Sequence, residues 1–110
     1  MQFHILVTPA PDEPLTVTAE QIDAGQAWLE ERVADGRIDL AKAFPKTGGV
    51  MVVTVPADDE TTALAQLNDF LVDYPLMPTI EIDINILLPT LKEGFDVLRA
   101  AHRERRRINA

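Results

Sequence analysis

The chain has 110 residues, no cysteine and a formal net charge of −8 at pH 7. With 46% hydrophobic and 25% charged residues, its composition is that of one globular domain and not of a disordered chain. A chain of this size buries very roughly two thirds of its unfolded surface, enough for a single core. Without cysteine, disulfides, thiolate nucleophiles and cysteine metal ligands are excluded.

Other classes fall away on pattern. The apolar runs are far shorter than the roughly 20 residues of a membrane span. The opening MQFHILVTPA lacks the basic stretch and small-residue cleavage site of a signal peptide. The expectation is a soluble, cytoplasmic protein with no membrane partner. Charge is unevenly placed. Residues 1–91 hold four cations (Arg32, Arg37, Lys42, Lys46) against fifteen acids, a net of −11, whereas residues 92–110 carry a net of +3. An acidic body repels phosphate over most of its surface, so no nucleic-acid partner is expected. Cations near a helix C-terminus suit its dipole, and they suit the acidic body of a neighbour.

Phe3 to Thr8 reads as a first strand, ended by Pro9-Ala10-Pro11. Residues 9–16, PAPDEPLT, read as a loop with three prolines. Thr18-Ala19-Glu20-Gln21 has capping-box spacing and starts a helix to about Asp35, with Gly36 supplying a left-handed stop. Ile22, Leu29 and Val33 form its expected apolar stripe. Gly25 is a weak point there unless packing uses its missing side chain. Residues 37–44 alternate as a half-buried strand, with Ile38, Leu40 and Phe44 on one side. Pro45 to Gly49 turns the chain into the strand Val50–Val55, whose unbroken apolar run suggests cover on both faces.

Asp58 or Asp59 is a good N-cap for a second helix to about Asp73, with Leu64, Leu67 and Leu71 facing inward. Tyr74-Pro75-Leu76-Met77-Pro78 is a rigid connector. In Thr79–Leu87 the isoleucines 80, 82, 84 and 86 face one way, and Glu81, Asp83 and Asn85 the other. Thr90-Leu91-Lys92-Glu93 repeats the capping-box spacing and opens a third helix to about Arg106. Its apolar positions are Leu91, Phe95 and Leu98.

The order β-α-β-β-α-β plus a helix predicts an α+β, ferredoxin-like sandwich: an antiparallel sheet in the order 4-1-3-2, helices on one face, and a C-terminal helix. Residues 1–88 form the domain. Residues 89–110 form a helix that packs on it or on a neighbouring subunit. The first and third strands are apolar on both sides, so the second sheet face would be a patch of roughly several hundred Å², large for a monomer. A second copy packed face to face, as in a dimeric α+β barrel, is the expected cover. The C-terminal helix is the competing one.

The opening Met1-Gln2-Phe3-His4-Ile5 and the connector Pro75-Leu76-Met77-Pro78 leading into Ile80-Glu81-Ile82 resemble segments of the muconolactone isomerase-like family of the dimeric α+β barrel superfamily. Gly36 before the second strand fits as well, and the resemblance spans roughly residues 1–88. The family carries a tryptophan and basic residues near its second strand. Here the single tryptophan, Trp28, lies on the first helix. The resemblance implies a homodimer or higher oligomer that binds a small hydrophobic acid or lactone, with cofactor-independent isomerisation as the chemistry. The superfamily also holds cofactor-free monooxygenases and proteins with no known reaction, so a non-catalytic ligand-binding or assembly protein is the alternative.

Strand parity supplies candidate catalytic residues. His4 shares a face with Glu81, Asp83 and Asn85 if the isoleucines pack on the helices. A histidine oriented by a carboxylate suits proton abstraction next to a carbonyl or lactone. Lys42, or Arg37 beside it, is a candidate for stabilising the enolate charge. Each also has a plain reading: His4 satisfied by a carbonyl, Glu81 and Asp83 as charges protecting an edge strand, Lys42 as a hairpin surface cation. No cofactor or metal is expected. The two histidines, His4 and His102, are far apart, and no metal-ligand or phosphate-loop spacing occurs.

Overall fold

Eight segments follow one another in the computed structural model, which describes residues 1–11 and 17–109. They are β1 (Gln2–Pro9), α1 (Ala19–Ala34), β2 (Leu40–Ala43), β3 (Gly49–Thr54), α2 (Glu60–Leu71), a short 3-10 turn (Met77–Thr79), β4 (Ile80–Leu87) and α3 (Leu91–Asn109). Residues 12–16, the latter part of the expected proline-rich loop 9–16, lie outside the described residues. The four strands form one antiparallel sheet in the order β2-β3-β1-β4. This is the expected ferredoxin-like α+β arrangement, with the two parallel-spaced crossovers made by α1 and α2.

The local signals act as their chemistry dictates. Thr18 caps α1 through a full capping box: its hydroxyl accepts from the Gln21 amide at 3.1 Å, and the Thr18 amide donates to Gln21 Oε1 at 2.9 Å. Gly36 follows the helix at φ +82°, where an L side chain is strained. Asp59 caps α2 by accepting from the Thr62 amide at 2.9 Å, which holds its carboxyl below the ordinary range. Thr18→Ala is expected to cost about 1 kcal/mol, read as a lower urea midpoint at unchanged slope.

The core lies between one sheet face and the two helices. Phe3, Ile5 and Val7 of β1 and Met51 and Val53 of β3 pack with Trp28, Ala63, Leu67, Leu71 and Tyr74. Two expectations change here. The buried face of α1 is Gly25 and Trp28, with Leu29 partly covered; Ile22 and Val33 are exposed. Trp28 sets this rotation. Its ring lies 5.4 Å from Phe70 and 4.9 Å from Tyr74, its indole N–H donates to Asp73 at 3.2 Å, and the Arg32 guanidinium covers it at 3.9 Å. The second change is in β2, which is shorter than residues 37–44. The Ile38 amide donates to the Arg32 carbonyl at the end of α1, and this bends the chain. Ile38 thereby enters the core, while Leu40 and Phe44, expected on its side, stay exposed.

Among the described residues, the opposite sheet face carries no helix. Val50 and Val52 are half-buried there, so β3 is covered on one face only within a single chain. Helix α3 leaves the end of β4 and stands clear of the body. Residues 91–108 are exposed, Gly94 alone being half-buried, and Leu91 reaches 83% exposure. This helix, roughly 28 Å long, accounts for much of the 57 Å length of the molecule. Thr90 caps it, accepting from the Glu93 amide at 3.2 Å. No helix among the described residues is long and apolar enough to cross a membrane.

Candidate functional site

Two surfaces are candidates, one on each side of the sheet. The first is a cavity of about 540 Å³ between α1 and the β2–β3 end of the sheet. Its origin is compositional. Ala41, Ala43 and Gly49 form the floor with almost no side-chain volume, and Ile22 and Leu29 of α1 form the roof. Tyr74, Leu76 and Thr79 close one side. Gly25 lets this wall approach α1: a Cβ there would lie 2.7 Å from Leu76 Cδ1. The packing thus uses the missing side chain of Gly25.

The lining is mainly apolar. The Thr79 hydroxyl donates to the Leu76 carbonyl at 2.8 Å and is committed to the connector. Burial raises the Tyr74 phenol above its ordinary range, so it is neutral at physiological pH. Lys42 is the one charged residue among those that border it. The size matches small-ligand sites, which are typically about 300–1,000 Å³, apolar, and furnished with few polar groups.

The second surface is the open sheet face. The register arranges its side chains in cross-strand rows. One row reads Leu40, Val52, His4, Asn85 from β2 to β4; the next reads Lys42, Val50, Leu6, Asp83. Beyond these, Thr8 stands opposite Glu81. At the other end Asp39 accepts from the Thr54 hydroxyl at 2.6 Å and from Gln2 at 3.3 Å. His4, Glu81, Asp83 and Lys42 therefore share one face. His4 stands directly opposite Asn85, with Asp83 diagonal to it. Lys42 is on the far edge strand from both carboxylates.

Among the described residues no hydrogen bond links His4 to Asp83, Glu81 or Asn85. Arg37 is engaged elsewhere: its guanidinium lies 2.6 Å from Asp35 and 3.7 Å from Glu31, and it holds the Asp35 carboxyl below the usual range. No three histidine, aspartate or glutamate side chains converge on a metal site among the described residues.

The two surfaces divide the candidate residues. Lys42 alone of the four touches the cavity; His4, Glu81 and Asp83 lie across the sheet from it. The cavity residues carry no motif. Their one legible signal is a run of small side chains, Ala41, Ala43, Gly48 and Gly49, facing a helix with a glycine at position 25.

No family model matches the sequence, and no curated protein does either. Among solved structures, a crystal structure of muconolactone isomerase superposes with a TM-score of 0.61 at 20% sequence identity, covering 83% of this chain and 92% of that one. The uncovered share of this chain is of the size of α3. The chain has the fold of muconolactone isomerase.

Proposed function

We propose that this protein binds a small hydrophobic acid or lactone in the cavity beneath α1 and acts as a homodimer. The observation that carries the reading is the cavity itself: about 540 Å³ and mainly apolar in lining. An apolar body with one carboxylate or lactone carbonyl suits such a site. Isomerase-like chemistry is a second reading, favoured by His4 and the two carboxylates sharing the open face. Shifting a double bond next to a lactone carbonyl needs a base and a group that holds the enolate charge. His4 is the candidate base, flanked by Asp83 and Glu81, with Lys42 as the charge stabiliser. His4→Ala, assayed for proton exchange on candidate lactones, tests that reading; unchanged exchange removes it.

The dimer reading rests on the open face. Leu6, Val50, Val52 and Leu40 lie on it, and no helix among the described residues covers them. The same assembly offers α3 a surface. Its exposed Leu91, Phe95 and Leu98 and its net positive charge suit the acidic body of a neighbouring copy.

A thermal-shift panel of small carboxylates and lactones tests the binding site, with Ala41→Leu as the cavity-filling control. At a hundredfold excess over Kd the wild-type chain gains about 2.7 kcal/mol, a shift of several degrees in Tm. Ala41→Leu keeps the fold and loses the shift. Equal shifts in both proteins place the ligand elsewhere and contradict the proposal.

A further inference from the structure

Among the described residues, two buried side chains with a polar atom border the cavity, Tyr74 and Thr79. The Thr79 hydroxyl gives its proton to the Leu76 carbonyl. The Tyr74 hydroxyl has no partner among the described residues. No side-chain oxygen there is both enclosed and unpaired, so the phenol reaches open space, and the open space that Tyr74 borders is the cavity. The residue is only 6% exposed and is firmly placed. Its ring lies 4.9 Å from Trp28, its amide donates to the Leu71 carbonyl at 3.0 Å, and its carbonyl accepts from the Met77 amide at 3.0 Å. Burial keeps the phenol protonated, so it is a hydrogen-bond donor.

No cation accompanies it. Lys42 is exposed, and the register puts it in the open-face row with Val50, Leu6 and Asp83. Thr47, the remaining polar residue of the lining, is exposed on the β2–β3 turn.

We propose that the Tyr74 hydroxyl is the polar anchor of the cavity and selects a neutral carbonyl compound, a lactone or ketone with an apolar body, over a carboxylate. The inference rests on the cavity reading above and narrows its ligand. A carboxylate entering the cavity exchanges water for an apolar lining with one neutral donor and no cation, a costly transfer. A carbonyl oxygen is satisfied by one donor, which Tyr74 supplies. Alcohols and amines bring donors of their own, and each one left unpaired in an apolar lining is penalised. Because the ring is already fixed by Trp28 and the connector, little freedom is lost when the ligand binds.

Three probes on one bicyclic frame separate these contributions: phthalide, a lactone; the hydroxymethylbenzoate formed by opening its ring; and indane, which has no oxygen. In calorimetric titrations of the full chain at about pH 7, phthalide should bind roughly tenfold or more tightly than hydroxymethylbenzoate. Tyr74→Phe keeps the ring against Trp28. It should weaken phthalide binding by about five- to tenfold, the worth of one neutral hydrogen bond, and leave indane binding unchanged. Indane is the readout that a loosened cavity wall would move. Equal phthalide affinity in the wild type and Tyr74→Phe overturns the anchor, as do equal losses of phthalide and indane. Hydroxymethylbenzoate bound as tightly as phthalide overturns the selection. In each of these cases, indane binding that Ala41→Leu abolishes leaves the cavity reading standing. Binding of none of the three, or phthalide binding that survives Ala41→Leu, overturns the cavity reading and the anchor together.

Discussion

Phe3→Ala is expected to remove about 3–5 kcal/mol of stability. Phe3 is fully buried at 0% exposure and stands on the helix side of β1, between Val53 of β3 and Ile86 of β4. It is among the largest side chains in the core, and the sheet around it cannot collapse without breaking two ladders. Truncation therefore leaves a cavity as well as losing the transfer free energy of the ring. A domain of this size has a total stability of roughly 5–15 kcal/mol, so the variant sits near its unfolding threshold at room temperature. Urea denaturation followed by far-UV circular dichroism reads the loss directly. A change below about 1 kcal/mol would mean that Phe3 is not a core residue and that the sheet faces are assigned the wrong way round.

Gly48→Ala is the second large effect. Gly48 has φ +78°, and a Cβ there would collide with the Val7 carbonyl oxygen in the neighbouring strand. The Phe44 amide donates to the Gly48 carbonyl at 3.0 Å, so the turn cannot relax without losing the β2–β3 connection. Left-handed backbone costs an alanine about 1 kcal/mol by itself. Displacing a β1 carbonyl adds to that, and the total should exceed roughly 2 kcal/mol. Gly36→Ala is the control. Gly36 has a similar φ of +82° but nothing within 4 Å of the added Cβ. It should show the backbone cost alone. Equal losses at the two positions would show that the collision at Gly48 relaxes freely.

The fold was legible where one residue type does one job. Thr18 and Gln21 make the capping box that their spacing announces, Gly36 stops the helix, and Ile80, Ile82 and Ile84 of β4 pack against the core as their alternation requires, Ile86 at the strand's end staying exposed. What escaped pattern reading depends on tertiary packing. Ile22 and Val33 fit a helical period as well as Gly25 and Trp28 do; the choice is made by Phe70 and Tyr74, which receive the indole. Ile38 fits the alternation of a longer strand, but its amide is drawn to the Arg32 carbonyl and the strand starts later.

The site divides in the same way. That His4, Asp83, Glu81 and Lys42 share a face follows from parity alone, because the side-chain period of a strand is two. That the cavity lies on the other side does not. It arises where Ala41, Ala43 and Gly49 leave volume beneath α1, and missing volume leaves no motif in the sequence. Of the four candidate residues only Lys42, on an edge strand, also borders the cavity, as its row neighbour Val50 does.

The open sheet face is the point on which the assembly depends, and the mass of the particle in solution tests it most directly. Sedimentation equilibrium of the wild-type chain at tens of micromolar should give twice the 12.2 kDa of one chain, or a higher even multiple. A single species at 12.2 kDa, unchanged with concentration, would contradict it.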